Sequence, residues 1–291
     1  MDVNERVEIV ETVRDAWQGL ERIPSTDEKV AFIRRLIAAG FPCIDVGSFV
    51  NPRLVPAMAD TGDVLQRLAE QGGAELEGVR FTALVASQSG LDRLLASPGV
   101  AEVLYPFSLS DTFQKRNTNR DREEAFDLLS SLTSDAHEAG RTMYVTISMA
   151  FGNNEGDPWD TGELREWVGR LHSIGVDRVG LADTTAMATP EIIREVYAAV
   201  ANDVLWAVPG AHLHVTVENQ EAMVRAALDA GVRSFDSALG ALGGCQFAKG
   251  AVSNVSTLPL VQQLHASGYE ANVPEAPLTD LDAAASALAT G

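Results

Sequence analysis

The stretch AHLHVTVENQ (211–220) holds two of the chain's five histidines, two positions apart. In a β-strand residues i and i+2 share a face. A strand here puts the imidazoles of His212 and His214 on one side and Leu213 and Val215 on the other. Two imidazoles joined by a carboxylate and an amide would make a mixed N/O donor set, compatible with Mg²⁺, Mn²⁺ or Zn²⁺. Such a set with open positions suits catalysis. By itself the pair is also compatible with buried, hydrogen-bonded histidines, so the reading depends on what else is brought to it.

The elements that must position these groups alternate regularly. Strands are expected at 7–12, 41–49, 79–86, 100–109, 141–151, 176–184, 211–218 and 232–239. Helices are expected at 26–40, 58–71, 89–97, 122–140, 161–175, 189–203, 219–231 and 257–268. Ser25 or Thr26 should cap the first of these helices and Gly40 end it, and Pro190 opens another at its first turn. The same punctuation recurs, a helix closing on Gly before a strand, in AAG-FPCIDV, EAG-RTMYVT, SIG-VDRVGL and DAG-VRSFDS. Strands alternating with helices imply parallel pairing and right-handed crossovers. Eight such units within 291 residues predict an α/β fold, a single closed (β/α)₈ TIM barrel. Residues from about 271 to 291 form a short C-terminal extension, helix or tail. An open doubly wound sheet is disfavoured, because no Gly-rich dinucleotide fingerprint follows the first strand.

In such a barrel the active site lies at the C-terminal ends of the strands. The polar residues expected there are Arg14 and Asp15, Asp45 and Ser48, Asn153, Asn154, Glu155 and Asp157, Asp183, and the two histidines. A Gly-rich loop, ALGALGGCQFAKGAVSN, adds Cys245 and Asn254.

The bulk numbers exclude several classes. A hydrophobic fraction of 46% with 22% charged residues is that of a globular protein. No apolar run approaches the ~18 residues of a membrane span. The charged N-terminus has no signal-peptide core, so a cytoplasmic location is expected. The two cysteines suggest no disulfide scaffold. With 41 acidic against 22 basic residues, the formal charge of −19 argues against nucleic acid as a partner. It leaves an anionic small substrate open and fits a well-solvated surface, such as a salt-rich habitat would favour.

These motifs carry a resemblance. TVRDAWQ (12–18), IDVGSFVNPRLVPAMAD (44–60), LADTTAMATP (181–190), HLH (212–214) and GALGGCQFAKGAVSNVST (240–257) resemble those of the DRE-type metal-dependent barrel lyases and acyltransferases. The match is with the 3-hydroxy-3-methylglutaryl-CoA lyase branch, from about residue 7 to about 270. The Gly-Gly-Cys loop with an Asn nine residues after the Cys is the most specific part. The isopropylmalate synthase branch lacks this loop and usually adds a long C-terminal region.

The resemblance implies a divalent cation, Mg²⁺ or Mn²⁺ with Zn²⁺ as a further option, on Asp15, His212, His214 and Asn254. It implies an acyl-CoA-type substrate and a homodimer. Arg14 would steady a thioester enolate, Asp183 or His212 would act in acid–base steps, Cys245 would transfer a proton, and Asp45, where the family usually has Glu, would bond near the metal. The expected activity is carbon–carbon cleavage of a 3-hydroxyacyl thioester. Claisen-type acyl transfer, of the isopropylmalate or homocitrate synthase kind, and a metabolite-binding barrel without turnover are the alternatives.

Several positions near the expected pocket depart from the family. Ala16 then Trp17 follow Arg-Asp where Gly is usual. Val215 replaces an acidic residue, GNNEGDP replaces a Cys-Pro-Tyr segment, and Glu21 stands where a lysine is usual. They leave the metal set intact and the acyl group or its carrier open. Lys115, Arg116, Arg120 and Arg122 near the same rim could meet CoA phosphates or form a solvated loop. Cys43 is expected to be a core residue, His137, His172 and His265 surface groups, and Trp159 and Trp167 packing residues.

Overall fold

The computed structural model describes residues 6–201, 209–243 and 252–290. Eight parallel strands close on themselves: β1 (Arg6–Glu11), β2 (Cys43–Ser48), β3 (Arg80–Leu84), β4 (Val100–Ser108), β5 (Thr142–Ser148), β6 (Arg178–Ala182), β7 (Gly210–His212) and β8 (Ser234–Ser237). Each pairs with the next, and β8 returns to β1 through the register Glu8↔Ser234 to Glu11↔Ser237. The (β/α)₈ barrel is thus observed.

The helices form where their end signals place them. Ser25 caps Thr26–Ala38 in a capping box with Glu28, and Gly40 follows with φ 89°, the left-handed turn that glycine adopts without strain. The capping residue at that end is Ala39. Pro190 begins Pro190–Val200. The extension is the helix Leu278–Thr290, preceded by Glu270–Ala271, which pairs with the start of β1.

Two short helices were not read from the sequence: Val13–Gln18, after β1, and Asp111–Thr118, after β4. The expected strand over 211–218 is also cut short. The barrel strand ends at His212, and His214–Val215 pairs antiparallel with Ser253–Asn254 instead. This pairing captures the polypeptide returning from the Gly-rich loop.

Inside the barrel, the N-terminal end is filled by ions rather than aliphatics. Arg178 bonds Glu102 at 3.0 Å and Glu8 at 2.8 Å, and Arg80 bonds Glu8 at 2.9 Å. Cys43 is buried there, its thiol facing Glu8. Apolar packing lies between strands and helices. Trp167 is buried against Phe107 with Arg170 over its ring, and Trp159 donates to the Ala150 carbonyl. His137 and His265 are exposed and bonded to Asp177 and Glu275.

Candidate metal centre

Two neighbouring residues of the short helix after β1 bring charge to the mouth of the barrel. Arg14 is 8% exposed. Its Nε donates to Asp45 at 2.8 Å, and its Nη1 to Asp15 at 3.1 Å and Gln18 at 3.4 Å. The side chain is therefore fixed on three sides, with Nη2 left unbonded among the described residues. Asp45, inward on β2, also accepts from Thr12 at 3.1 Å. Burial raises the Asp45 carboxyl to about 6 despite Arg14.

Asp15, His212 and His214 each offer a ligand atom, and these atoms lie within 4.8 Å of one another. Each imidazole has one nitrogen committed elsewhere. His212 Nδ1 bonds Asp236 on β8 at 3.0 Å. His214 Nδ1 bonds the Thr184 carbonyl at 3.1 Å. A carbonyl only accepts, so the His214 Nδ1 must carry the proton, and Nε2 presents a lone pair. Burial, with His212 beside it, pushes His214 down to about 4, keeping it neutral. Burial alone would lower His212, but the Asp236 carboxylate outweighs it and raises its pKa.

Asn254 Nδ2 donates to Asp15 Oδ2 at 2.9 Å and to the Leu242 carbonyl at 3.1 Å, which turns Oδ1 away from both. Asn254 Oδ1 and His214 Nε2 are buried and without a hydrogen-bond partner. Buried polar atoms are almost always paired. Two orphaned acceptors beside a carboxylate, and a second imidazole oriented by a carboxylate, fit a divalent cation with N/O preference. Burial opposes ionisation of Asp15, but Arg14 and the two histidines hold its pKa far below the usual range.

The backbone around the site is tight. Gly243 has φ +79°, and a Cβ there would lie 2.3 Å from Asn254 Nδ2 and 3.1 Å from the Asp15 carbonyl. Met149, just past β5, is a buried non-glycine residue at φ 61°, its N–H donating to Thr184 Oγ1 at 3.0 Å. Left-handed backbone at a bulky residue is strained and clusters at functional sites.

The remaining candidates sit in settings of their own. Asp183 is buried, and its carboxylate also holds the turn after β6, accepting from the amides of Met187 (2.8 Å) and Ala188 (3.2 Å). Burial raises it to about 6. Asn153, Glu155 and Asp157 build a rim rather than a reacting centre. Asp157 accepts from Ser110 and Thr112, Asn153 Oδ1 accepts from the amides of Glu155 and Asp157, and Glu155 clasps Arg116. The rim cations are engaged within the protein. Lys115 faces Glu124, Arg122 spans Asp111 and Glu163, and Arg120 reaches the Ala86 carbonyl. Trp17 is 1% exposed and packs edge-on against Phe32, in the core rather than the pocket. Ser48 is buried at the end of β2. Cys245 lies outside the described residues.

Sequence reasoning missed Asp236, which orients His212. The signal was a lone carboxylate within the apolar strand VRSFDSAL, at a register facing into the barrel. It also passed over Glu11, at the end of β1.

Known proteins resemble the chain over most of its length. The chain matches the HMGL-like family over residues 6–285. It is 34% identical over 279 residues to (R)-citramalyl-CoA lyase of Chloroflexus aurantiacus, covering 92% of this chain and 86% of that protein. It is 32% identical over 269 residues to the mitochondrial hydroxymethylglutaryl-CoA lyase of Rattus norvegicus, covering 92% and 81%. The crystal structure of the HMG-CoA lyase from Brucella melitensis superposes with a TM-score of 0.90 at 30% identity, covering 99% of this chain and 100% of that one. The chain belongs to the HMGL-like family.

Proposed function

We propose that this protein is a divalent-metal-dependent carbon–carbon lyase that cleaves a 3-hydroxyacyl-CoA thioester into a keto product and acetyl-CoA. The observation that carries the reading is the convergence of Asp15, His212, His214 and Asn254, with His214 Nε2 and Asn254 Oδ1 buried and unpaired. The names of its relatives, lyases of citramalyl-CoA and hydroxymethylglutaryl-CoA, support the substrate class. The cation, Mg²⁺ or Mn²⁺, would be held by these four residues and would supply Lewis acidity toward the substrate's hydroxyl.

The protein's own groups divide the remaining work. Both ring nitrogens of His212 are committed, one to Asp236 and one to the ligand set. This leaves Asp183 as the candidate to take the hydroxyl proton. Breaking the C2–C3 bond leaves a thioester enolate. Arg14, locked by Asp45 and Asp15, presents its Nη2 edge where that charge develops, stabilisation that needs no reorganisation during the reaction. Cys245 is the candidate acid that protonates the enolate carbon. A homodimeric assembly is expected on the resemblance, and sedimentation of the purified protein checks it.

The deciding assay uses metal-stripped protein with 3-hydroxy-3-methylglutaryl-CoA and, separately, citramalyl-CoA, following acetyl-CoA before and after adding Mg²⁺ or Mn²⁺. Metal-dependent release from either establishes the lyase and names the acyl group. Bound Mn²⁺ with no release from either thioester removes these substrates from the reading.

A further inference from the structure

Glu11 is a buried acid that the mechanism above does not use. It ends β1 with 1% exposure. Glu8, three residues earlier, points into the barrel toward Arg178 and Arg80. By alternation Glu11 therefore faces outward, on the side of Val7 and Ile9, beneath the helical layer. An aliphatic side chain would fill such a position at no electrostatic cost.

Instead, the two carboxyl oxygens take partners on opposite limbs of one excursion. Oε1 accepts from the Leu239 amide at 2.8 Å, where the Gly-rich loop departs. Oε2 bonds Thr257 Oγ1 at 2.7 Å, where the polypeptide has returned, and Thr257 Oγ1 lies 2.9 Å from Ser237 Oγ. Between these limbs Ala238 accepts from and donates to the returning segment. The neighbouring amide of Gly240 donates to Asp282 on the C-terminal helix at 2.7 Å. Asn254 sits three residues before Thr257 and reaches Asp15 and the Leu242 carbonyl.

We infer that Glu11 is a positioning residue for the metal centre: by tying Leu239 to Thr257 it sets the limbs between which Asn254 is held against Asp15. The inference rests on the proposed reading of Asp15 and Asn254 as cation ligands. Burial pushes the Glu11 carboxyl up to about 8, although the bonds from Leu239 and Thr257 oppose this. At neutral pH it is mainly the uncharged acid, with the Leu239 amide donating to Oε1 and the Thr257 hydroxyl to Oε2. Glutamine keeps an acceptor toward the Leu239 amide and a polar group toward the Thr257 hydroxyl, and leucine fills the space without either.

The test compares the full chain with its Glu11→Gln and Glu11→Leu variants. Hydrogen exchange is read on peptides spanning 238–243 and 252–257, and Mn²⁺ affinity by electron paramagnetic resonance. The Leu variant should exchange faster in both peptides, with β3 to β5 unchanged, and bind Mn²⁺ about ten- to hundredfold more weakly, as when groups supporting metal ligands are lost. The Gln variant should restore both. Should the Leu variant fail to fold, Thr257→Val removes one limb's bond with little change in volume and should shift both readouts the same way. A folded Leu variant with wild-type exchange overturns the inference, as does one with wild-type Mn²⁺ affinity. A wild-type protein that binds no Mn²⁺ instead defeats the proposed metal site, and the exchange comparison still decides whether Glu11 ties the limbs.

Discussion

Glu11→Gln should raise stability in a pH-dependent way. In the unfolded chain this carboxyl ionises near its usual 4.5, whereas in the folded barrel burial holds it protonated to about 8. Between those values the native state carries the extra proton, so native stability falls as pH rises through that window and levels off above it. At about 1.36 kcal/mol per unit, the loss reaches roughly 3 kcal/mol at pH 7 and about 5 kcal/mol above pH 8. Water entering beside the ionised carboxylate would recover part of the latter. Glutamine has no proton to lose and keeps the bonds to Leu239 and Thr257. The variant should match wild type near pH 4.5 and exceed it increasingly up to pH 8. At roughly 2 °C per kcal/mol for a chain of this size, the melting-temperature gap should be about 6 °C at pH 7. Thermal scans of both proteins at pH 5, 7 and 8.5 read the gap directly, since every other titrating group is common to them. A gap independent of pH, or one that shrinks as pH rises, refutes the reasoning that Glu11 is held neutral.

Four further variants have expected outcomes. Asp236→Asn keeps the shape but weakens the orientation of His212, and should lower Mn²⁺ affinity about ten- to hundredfold, read by titration calorimetry. His214→Ala should abolish metal binding, whereas Cys245→Ala should keep Mn²⁺ affinity and lose most turnover; full turnover in the second variant removes the cysteine from the mechanism. Gly243→Ala forces a Cβ to 2.3 Å from Asn254 Nδ2 in a left-handed conformation. It should cost about 1–3 kcal/mol, seen as a lower melting temperature, and should displace Asn254, seen as weaker Mn²⁺ binding.

The barrel was legible because its signals are local and repeated: eight apolar segments separated by helical periodicity, with glycine closing one unit before the next. The cluster of Asp15, His212 and His214 was legible because an H-x-H pair is short range and the strand ends needed only to be counted. What escaped depends on contacts distant in sequence. The break after His212 arises because Ser253–Asn254 returns to pair with His214–Val215, and no property of HLHVTVE announces a partner forty residues away. The helix Val13–Gln18 has six residues, too few for a 3.6-residue period to emerge. Asp183 ends a strand, and nothing in LADTTAMATP announces that its oxygens also accept from the turn amides that follow it. The pairing of the rim arginines was not legible because their acidic partners, Glu155 and Glu163, lie about forty residues along the chain.

The charges around the mouth of the barrel explain why these pieces form one centre. Asp15, Asp45 and Asp236 gather about a single guanidinium, with both imidazoles oriented by bonds at Nδ1. Arg14 lies beside Asp15 and Asp45 but cannot balance three carboxylates. Asp236 raises the pKa of His212, while burial keeps His214 neutral. A divalent cation on the free lone pairs would compensate the excess negative charge that Arg14 leaves. The same carboxylates would then hold the ligands in register for a hydroxyl-bearing substrate. Removing Asp45 should therefore disturb Arg14 more than the metal. The guanidinium would keep its bond to Asp15 but lose its fixed plane. On this reasoning the Asp45 carboxylate would serve the enolate end of the proposed reaction, and Asp236 the cation end.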